Sequence, residues 1–288
     1  LPVSGEANML RRRRTSEDDE QRWRRAQRAG RRWAWAGIAV GAMLGIARFA
    51  PAQWLADAVH QATGQRVILA EARGSIWNGD AVLVLGGGPG SRDASALPGR
   101  LYWRLTPNWS GLKITAIHAC CLHGQLHLQL RPGWRSLRLE VPPRPQGLGH
   151  WPARWIAGLG TPWNTLQLDG RMEVSTPGLQ VHWVQGRVRL DGELGLALHD
   201  VSSRLSPIVP LGSYQVVVRG QTDGGETAAV VLTTMHGPLR LAGTGQWSGA
   251  RLRFRGEAQA SPAEAAALAS LLNIIGRRQG ASTVISIG

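Results

Sequence analysis

Residues Trp33 to Leu55, WAWAGIAVGAMLGIARFAPAQWL, contain a single charge, Arg48. No other stretch limits so sharply what the chain can become. A spanning helix needs about 20 mainly apolar residues to cross about 30 Å of hydrocarbon. Trp33–Ala47 is uncharged but only 15 residues long. Continuing to Leu55 supplies the length if the Arg48 side chain snorkels to the far interface. Trp33 and Trp35 at one end and Trp54 at the other suit the two aromatic belts of a bilayer. The pattern predicts a transmembrane anchor over 33–55 and a domain on its far side.

Orientation follows from the flanks. Ten arginines precede Trp33, among them Arg24, Arg25, Arg28, Arg31 and Arg32, whereas Arg48 and Arg66 alone fall in a comparable length after it. The positive-inside rule puts residues 1–32 in the cytoplasm and residues 56–288 across the membrane. A cleaved signal peptide is the rival reading, because Ala50-Pro51-Ala52 is an Ala-x-Ala pattern just past the apolar run. The long charged segment before it argues for an anchor. The first Met is Met9, a candidate start.

The net charge of +14 would ordinarily suggest nucleic acid as a partner. Here the tail carries ten arginines against five acids, and the remaining excess is scattered without a block. We read it as a topology signal plus a basic surface, with no nucleic acid partner and a weak attraction of the tail to anionic lipid.

Beyond Gly64 the apolar period changes from helical to two. Runs such as GRLYWRL (99–105), GLKITAIHA (111–119), HGQLHLQL (123–130), WRSLRLEV (134–141), YQVVVRG (214–220) and ARLRFRGEA (250–258) alternate apolar and polar residues. That alternation marks a sheet with one buried and one wet face. Asn164–Val174 and Leu179–Asp200 are read as two further strand runs, and Trp151–Leu159 as a short helix. The Gly86–Gly90 loop lacks the lysine of a phosphate-binding loop and is read as a hairpin. Ser261, Pro262 and Glu264 form a capping-box pattern for a helix that ends at Gly276. A Trp followed closely by Gly recurs at Trp77, Trp109, Trp183 and Trp247, and each Trp is expected to cap the core beside a turn. The fold class is mainly β: the anchor, then a curved antiparallel sheet with a C-terminal helix.

Candidate chemistry is sparse. His118, Cys120, Cys121, His123 and His127 offer five metal ligands in ten residues. A continuous strand would put Cys121, His123 and His127 on one face and His118 and Cys120 on the other. The spacing matches no standard zinc module, so no metal is assigned. A vicinal Cys120–Cys121 disulfide, an intermolecular disulfide and two buried thiols all remain open. Asp191 and Glu193 share a strand face, where a solvated role fits better than a catalytic pair. No Gly-x-Ser-x-Gly or His-Glu-x-x-His motif is present, and neither an enzymatic activity nor a cofactor is expected.

The order of GSIWNGDAVL (74–83), GRLYWRL, LGSYQVVVRG (211–220), GPLRLAGTGQWSGARLRFRGEA (237–258) and LLNIIGRR (271–278) resembles protein N of the bacterial type II secretion system, from about residue 34 to the end. The resemblance implies a bitopic inner-membrane protein with a periplasmic β domain. It also implies a non-enzymatic role in the machine that exports folded proteins, with its secretin and inner-membrane platform proteins as partners. No catalytic residues carry over. An alternative from another class is an AsmA-like periplasmic lipid-binding groove, which shares the same alternation. The discriminator is whether the C-terminal helix covers the apolar face or leaves it open.

Overall fold

The computed structural model describes residues 34–184, 187–220, 227–248, 251–280 and 282–288. The chain divides into two units at the Ala50–Pro51 junction.

In the first unit, residues 34–49 form helix α1. It is 16 residues long, or about 24 Å, and no helix among the described residues is long and apolar enough to cross a membrane. The expected helix over 33–55 is therefore corrected: it stops before Pro51, which has no N–H to donate and disfavours helix in the residue before it. Trp35 lies on α1 and is 66% exposed. Trp33 and the topology arginines Arg24, Arg25, Arg28, Arg31 and Arg32 lie outside the described residues.

The second unit opens with helix α2 (Ala52–Ala62) and continues as one antiparallel sheet. Its strands are β1 (Val67–Gly74), β2 (Asn78–Gly86), β3 (Ala94–Ala96), β4 (Leu101–Asn108), β5 (Gly111–His118), β6 (Gln125–Gly133) and β7 (Ser136–Val141). Next come β8 (Gly149–Pro152), β9 (Leu168–Val184), β10 (Arg187–Ser203), β11 (Gly212–Gly220) and β12 (Thr227–His236). The last are β13 (Leu239–Ser248), β14 (Arg251–Ala260), β15 (Arg277–Gln279) and β16 (Ser282–Ile287). Almost every strand pairs with the next in sequence. The path β1-β2-β4-β5-β6-β7-β9-β10-β11-β12-β13-β14-β16-β15 ends on β1 and β15, so the sheet is not closed.

The long β9–β10 pair joins two halves. β7 attaches to the C-terminal part of β9, Leu179–Val184, while β11 attaches to Glu193–Val201 of β10. β9 runs straight through Pro177, where two separate strands were expected on either side. Thr176 explains the difference. Its hydroxyl donates to the Glu193 carbonyl at 2.5 Å and accepts the Gly178 N–H at 3.0 Å, which holds a bulge there. A bulge is where a strand tolerates proline.

Registration puts the apolar positions on one face. The row Leu112, Leu130, Leu139, Val181 and Leu190 crosses five strands, and the row Leu194, Val218 and Val230 continues from β10 across two more. Helix α2 and the C-terminal helix lie on this face. Ala52 of α2 is buried with Leu69, Ala81 and Trp103 at the β1 end. At the other end, helix α3 (Trp163–Leu166) and the loop after β10 contribute Leu166, Leu205 and Ile208 around a second core. There Leu268, Leu271 and Leu272 of helix α4 (Ala265–Ile275) pack on Leu211, Leu239 and Ala258. Burying each such leucine contributes about 1.5–3 kcal/mol.

Two local expectations are corrected. Ser261 makes no side-chain cap, and a 3-10 turn over Pro262–Glu264 precedes α4. Residues Ala153–Leu159 are likewise 3-10 rather than α-helix.

Candidate functional site

Three features of the second unit stand out as candidates for function: its apolar face, its His–Cys turn and its two sheet edges. The apolar face is covered by a helix at each end, and Val141 and Leu179 are buried between them. α4 packs on β13, β14 and β16, and α2 on β1, β2 and β4. Between them Leu128, Leu137, Leu139, Val181, Leu190 and Leu196 are half-buried. The C-terminal helix thus covers one end of the face and not all of it.

The opposite face is polar and ion-paired. Asp191 lies 3.2 Å from His182 Nε2 and 3.3 Å from Arg189 Nε, while Glu193 pairs with Arg219 at 2.7 Å. The two carboxylates thus serve different cations rather than one reaction centre. Burial, helped by Arg138, pulls His182 below the usual imidazole range.

The five-ligand cluster divides. Residues 119–121 form a turn rather than a continuing strand, with the Cys121 and Leu122 N–H groups both donating to the His118 carbonyl. The turn brings ligand atoms of His118, Cys120 and Cys121 within 4.8 Å of one another. The face assignment expected for a strand is corrected accordingly. His123 instead stacks near His150, with a ring-nitrogen separation of 3.2 Å, and His127 meets the Thr115 hydroxyl across the β5–β6 pair. Cys120 and Cys121 are joined to each other as a disulfide, which selects among the three alternatives. His118 is 2% exposed, and burial lowers its pKa.

A serine–histidine pair that the sequence did not flag also appears: Ser213 Oγ lies 3.1 Å from His236 Nε2. Ser213 is wholly buried and accepts the Asp200 N–H at 3.0 Å, so its hydroxyl ties β10, β11 and β12 together. Tyr214 beside it donates to the Leu239 carbonyl at 3.0 Å. Near the β1 bulge, Arg100 joins the Asp80 carboxylate, the Glu71 carboxylate and the Glu71 carbonyl.

Of the tryptophans in the Trp–Gly pattern, Trp77 and Trp183 are half-buried and Trp247 is 43% exposed. Trp103 is 5% exposed and donates to the Ile76 carbonyl. Trp109, expected to cap the core, is instead fully exposed at its hairpin tip, as is Trp134 (95%) at the next tip on the same end of the sheet. Trp54 lies on α2 and is 54% exposed.

Fold and site together define a β-sheet scaffold, with free ends and a broad apolar face. The family model for type II secretion system (T2SS) protein N matches residues 65–286, and the chain belongs to that family. It is a component of the type II secretion machinery. No curated protein and no solved structure matches it.

Proposed function

We propose that the chain is a non-enzymatic accessory subunit that assembles or supports the type II secretion machine from the inner membrane. Its N-terminus is cytoplasmic, and its sheet is periplasmic. The observation that carries the reading is an open sheet in a secretion-system family: β1 and β15 end the path, and each offers an edge for a partner strand. All three residues of β15 are exposed. The partners are the secretin or the inner-membrane platform proteins. No cofactor or metal enters the role.

The membrane placement draws support from α1, whose apolar side chains are exposed all round: Ile38 61%, Met43 70%, Leu44 65% and Phe49 78%. An all-round apolar helix needs an apolar surrounding. The sequence Trp33–Phe49 is 17 residues, at the short end of spanning length, which begins at about 17. Retention of the segment draws support from Ala52. Cleavage after it would detach a residue that is 1% exposed and packed with Trp103.

A photo-crosslinking residue at Arg278 on β15 and at Arg73 on β1, read in living cells, tests the edges. Adducts with the secretin or a platform protein are expected. Adducts absent at both edges, with the sheet intact, overturn strand addition as the mode of contact.

The half-buried stretch between α2 and α4 favours a second reading, an AsmA-like groove for acyl chains. Stoichiometric phospholipid retained through purification would support it.

A further inference from the structure

The two ends of the strands differ in chemistry. The turns β1–β2, β4–β5 and β6–β7 lie at one end, where β9 also joins β10 and β13 joins β14. Trp109 and Trp134 stand fully exposed on neighbouring hairpin tips of this end. The tips are two strand spacings apart, about 10 Å. Segments 104–113 and 131–138 around them carry Arg104, Lys113, Arg131, Arg135 and Arg138 and no acid. Of these, Arg131 meets Glu140 at 3.4 Å, and Arg138 Nε meets His182 Nδ1. Segment 251–255 adds Arg251, Arg253 and Arg255, and the β11–β12 connection at this end adds the acids Asp223 and Glu226, so the basic excess is densest around the two tryptophans. At the other end the short turns 119–124 and 236–238 carry no formal charge, while the longer connections carry Arg92, Asp93, Arg100, Arg144, Arg154 and Arg204, and none of its short turns presents a fully exposed tryptophan.

The polypeptide also enters the unit at the tryptophan-bearing end. Pro51 pairs with Ser75, which lies in the β1–β2 turn. The apolar segment of residues 34–49 immediately precedes that point.

We propose that this end of the sheet rests on the surface of an anionic bilayer, with Trp109 and Trp134 in the headgroup layer. The inference rests on the anchor reading given above. Indole is suited to the site because it pairs an apolar ring with an N–H donor, which is why Trp concentrates at membrane interfaces. A solvated Trp at a hairpin tip has no packing role in the unit. Arginines around it add about 1 kcal/mol each near an anionic surface. The consequence is orientation. β10 is 17 residues long, about 55 Å, so the far end of the strands is held away from the bilayer and toward the outer machinery.

The test uses the full chain reconstituted in vesicles of phosphatidylethanolamine and phosphatidylglycerol. A fluorescent amino acid replaces Trp109, Trp134 or, at the far end, exposed Arg204. Quenching by headgroup nitroxide lipid is then measured. Strong quenching at 109 and 134 and none at 204 is expected, with a several-fold loss when neutral phosphatidylcholine replaces both lipids. Equal quenching at all three sites, or none at 109 and 134, overturns the proposal. Resistance of the vesicle-bound chain to alkaline carbonate is scored in parallel. A chain that carbonate strips has lost the anchor reading and this proposal with it, whereas a resistant chain with unquenched tips loses only the proposal.

Discussion

Pro51 pairs with Ser75 in an antiparallel bridge, and the next residue, Ala52, is buried against Trp103. The chain from Pro51 on is therefore part of the sheet's first core, with Ala52 buried in it and Leu55 packed against it. Gly79 supports this corner from the other side. A Cβ there would lie 2.6 Å from Trp103 Cζ2 and 2.5 Å from the Arg73 carbonyl oxygen. Gly79→Ala is expected to cost about 1–3 kcal/mol through overpacking. A thermal melt that matches the wild type would contradict this packing.

At the opposite end of the sheet, Leu268→Ala should cost about 2–5 kcal/mol, because Leu268 is wholly buried on the face of α4 that packs on the sheet. Ile274→Ala, on the same helix but 55% exposed, should stay within about 0.5 kcal/mol. Chemical denaturation of the two variants compares them directly. Equal losses would mean that α4 packs through another face.

Much of this was legible in the chain. Alternation placed Leu112, Leu130 and Leu139 on strands whose rows then matched across the sheet. What failed were places where one side chain overrides a pattern. The apolar run carries through Pro51, whose missing N–H breaks the helix. Pro177 looked like a strand end because nothing local announces that Thr176 will bridge to Glu193, a residue far along the chain. The His118–Cys121 spacing fits a strand period, whereas the chain turns there. Trp109 and Trp103 could not be told apart by composition, since burial depends on what crosses above the sheet.

Tyr214 tests the alkaline limit. Burial raises its pKa, and its hydroxyl donates to the Leu239 carbonyl. The unfolded phenol ionises near about 10, so above that pH the unfolded state releases a proton that the folded state keeps. Stability from this group is present below about 10 and is lost as pH rises further. Tyr214→Phe should remove that loss, at a cost of about 0.5–1.5 kcal/mol near neutrality. Denaturation midpoints across alkaline pH give the comparison, and an unchanged alkaline slope would contradict it.

His118 and His182 set the acid limit. Burial lowers both, and Arg138 adds to the effect on His182. The unfolded imidazoles protonate near about 6.5, before the folded ones. Their contribution is present above that pH and is lost as pH falls toward the depressed folded values. His118→Leu should flatten the acid slope. Wild-type stability that stays constant from about pH 7 to about pH 5 would contradict the burial of both rings.

Cys120 and Cys121 bond to each other, and the described residues include no free cysteine. Unreduced protein should therefore resist alkylation and migrate as a monomer, and reduction should expose two thiols. A dimer that reductant resolves would assign the disulfide to a second copy.

The most direct test of the secretion role is purification of the full chain from its native membrane in gentle detergent, with mass spectrometry of co-purifying proteins and lipids. The account predicts recovery of the secretin or platform subunits, lost when residues 65–286 are deleted. Stoichiometric phospholipid without any secretion subunit would contradict it and leave the apolar face between α2 and α4 as a lipid groove.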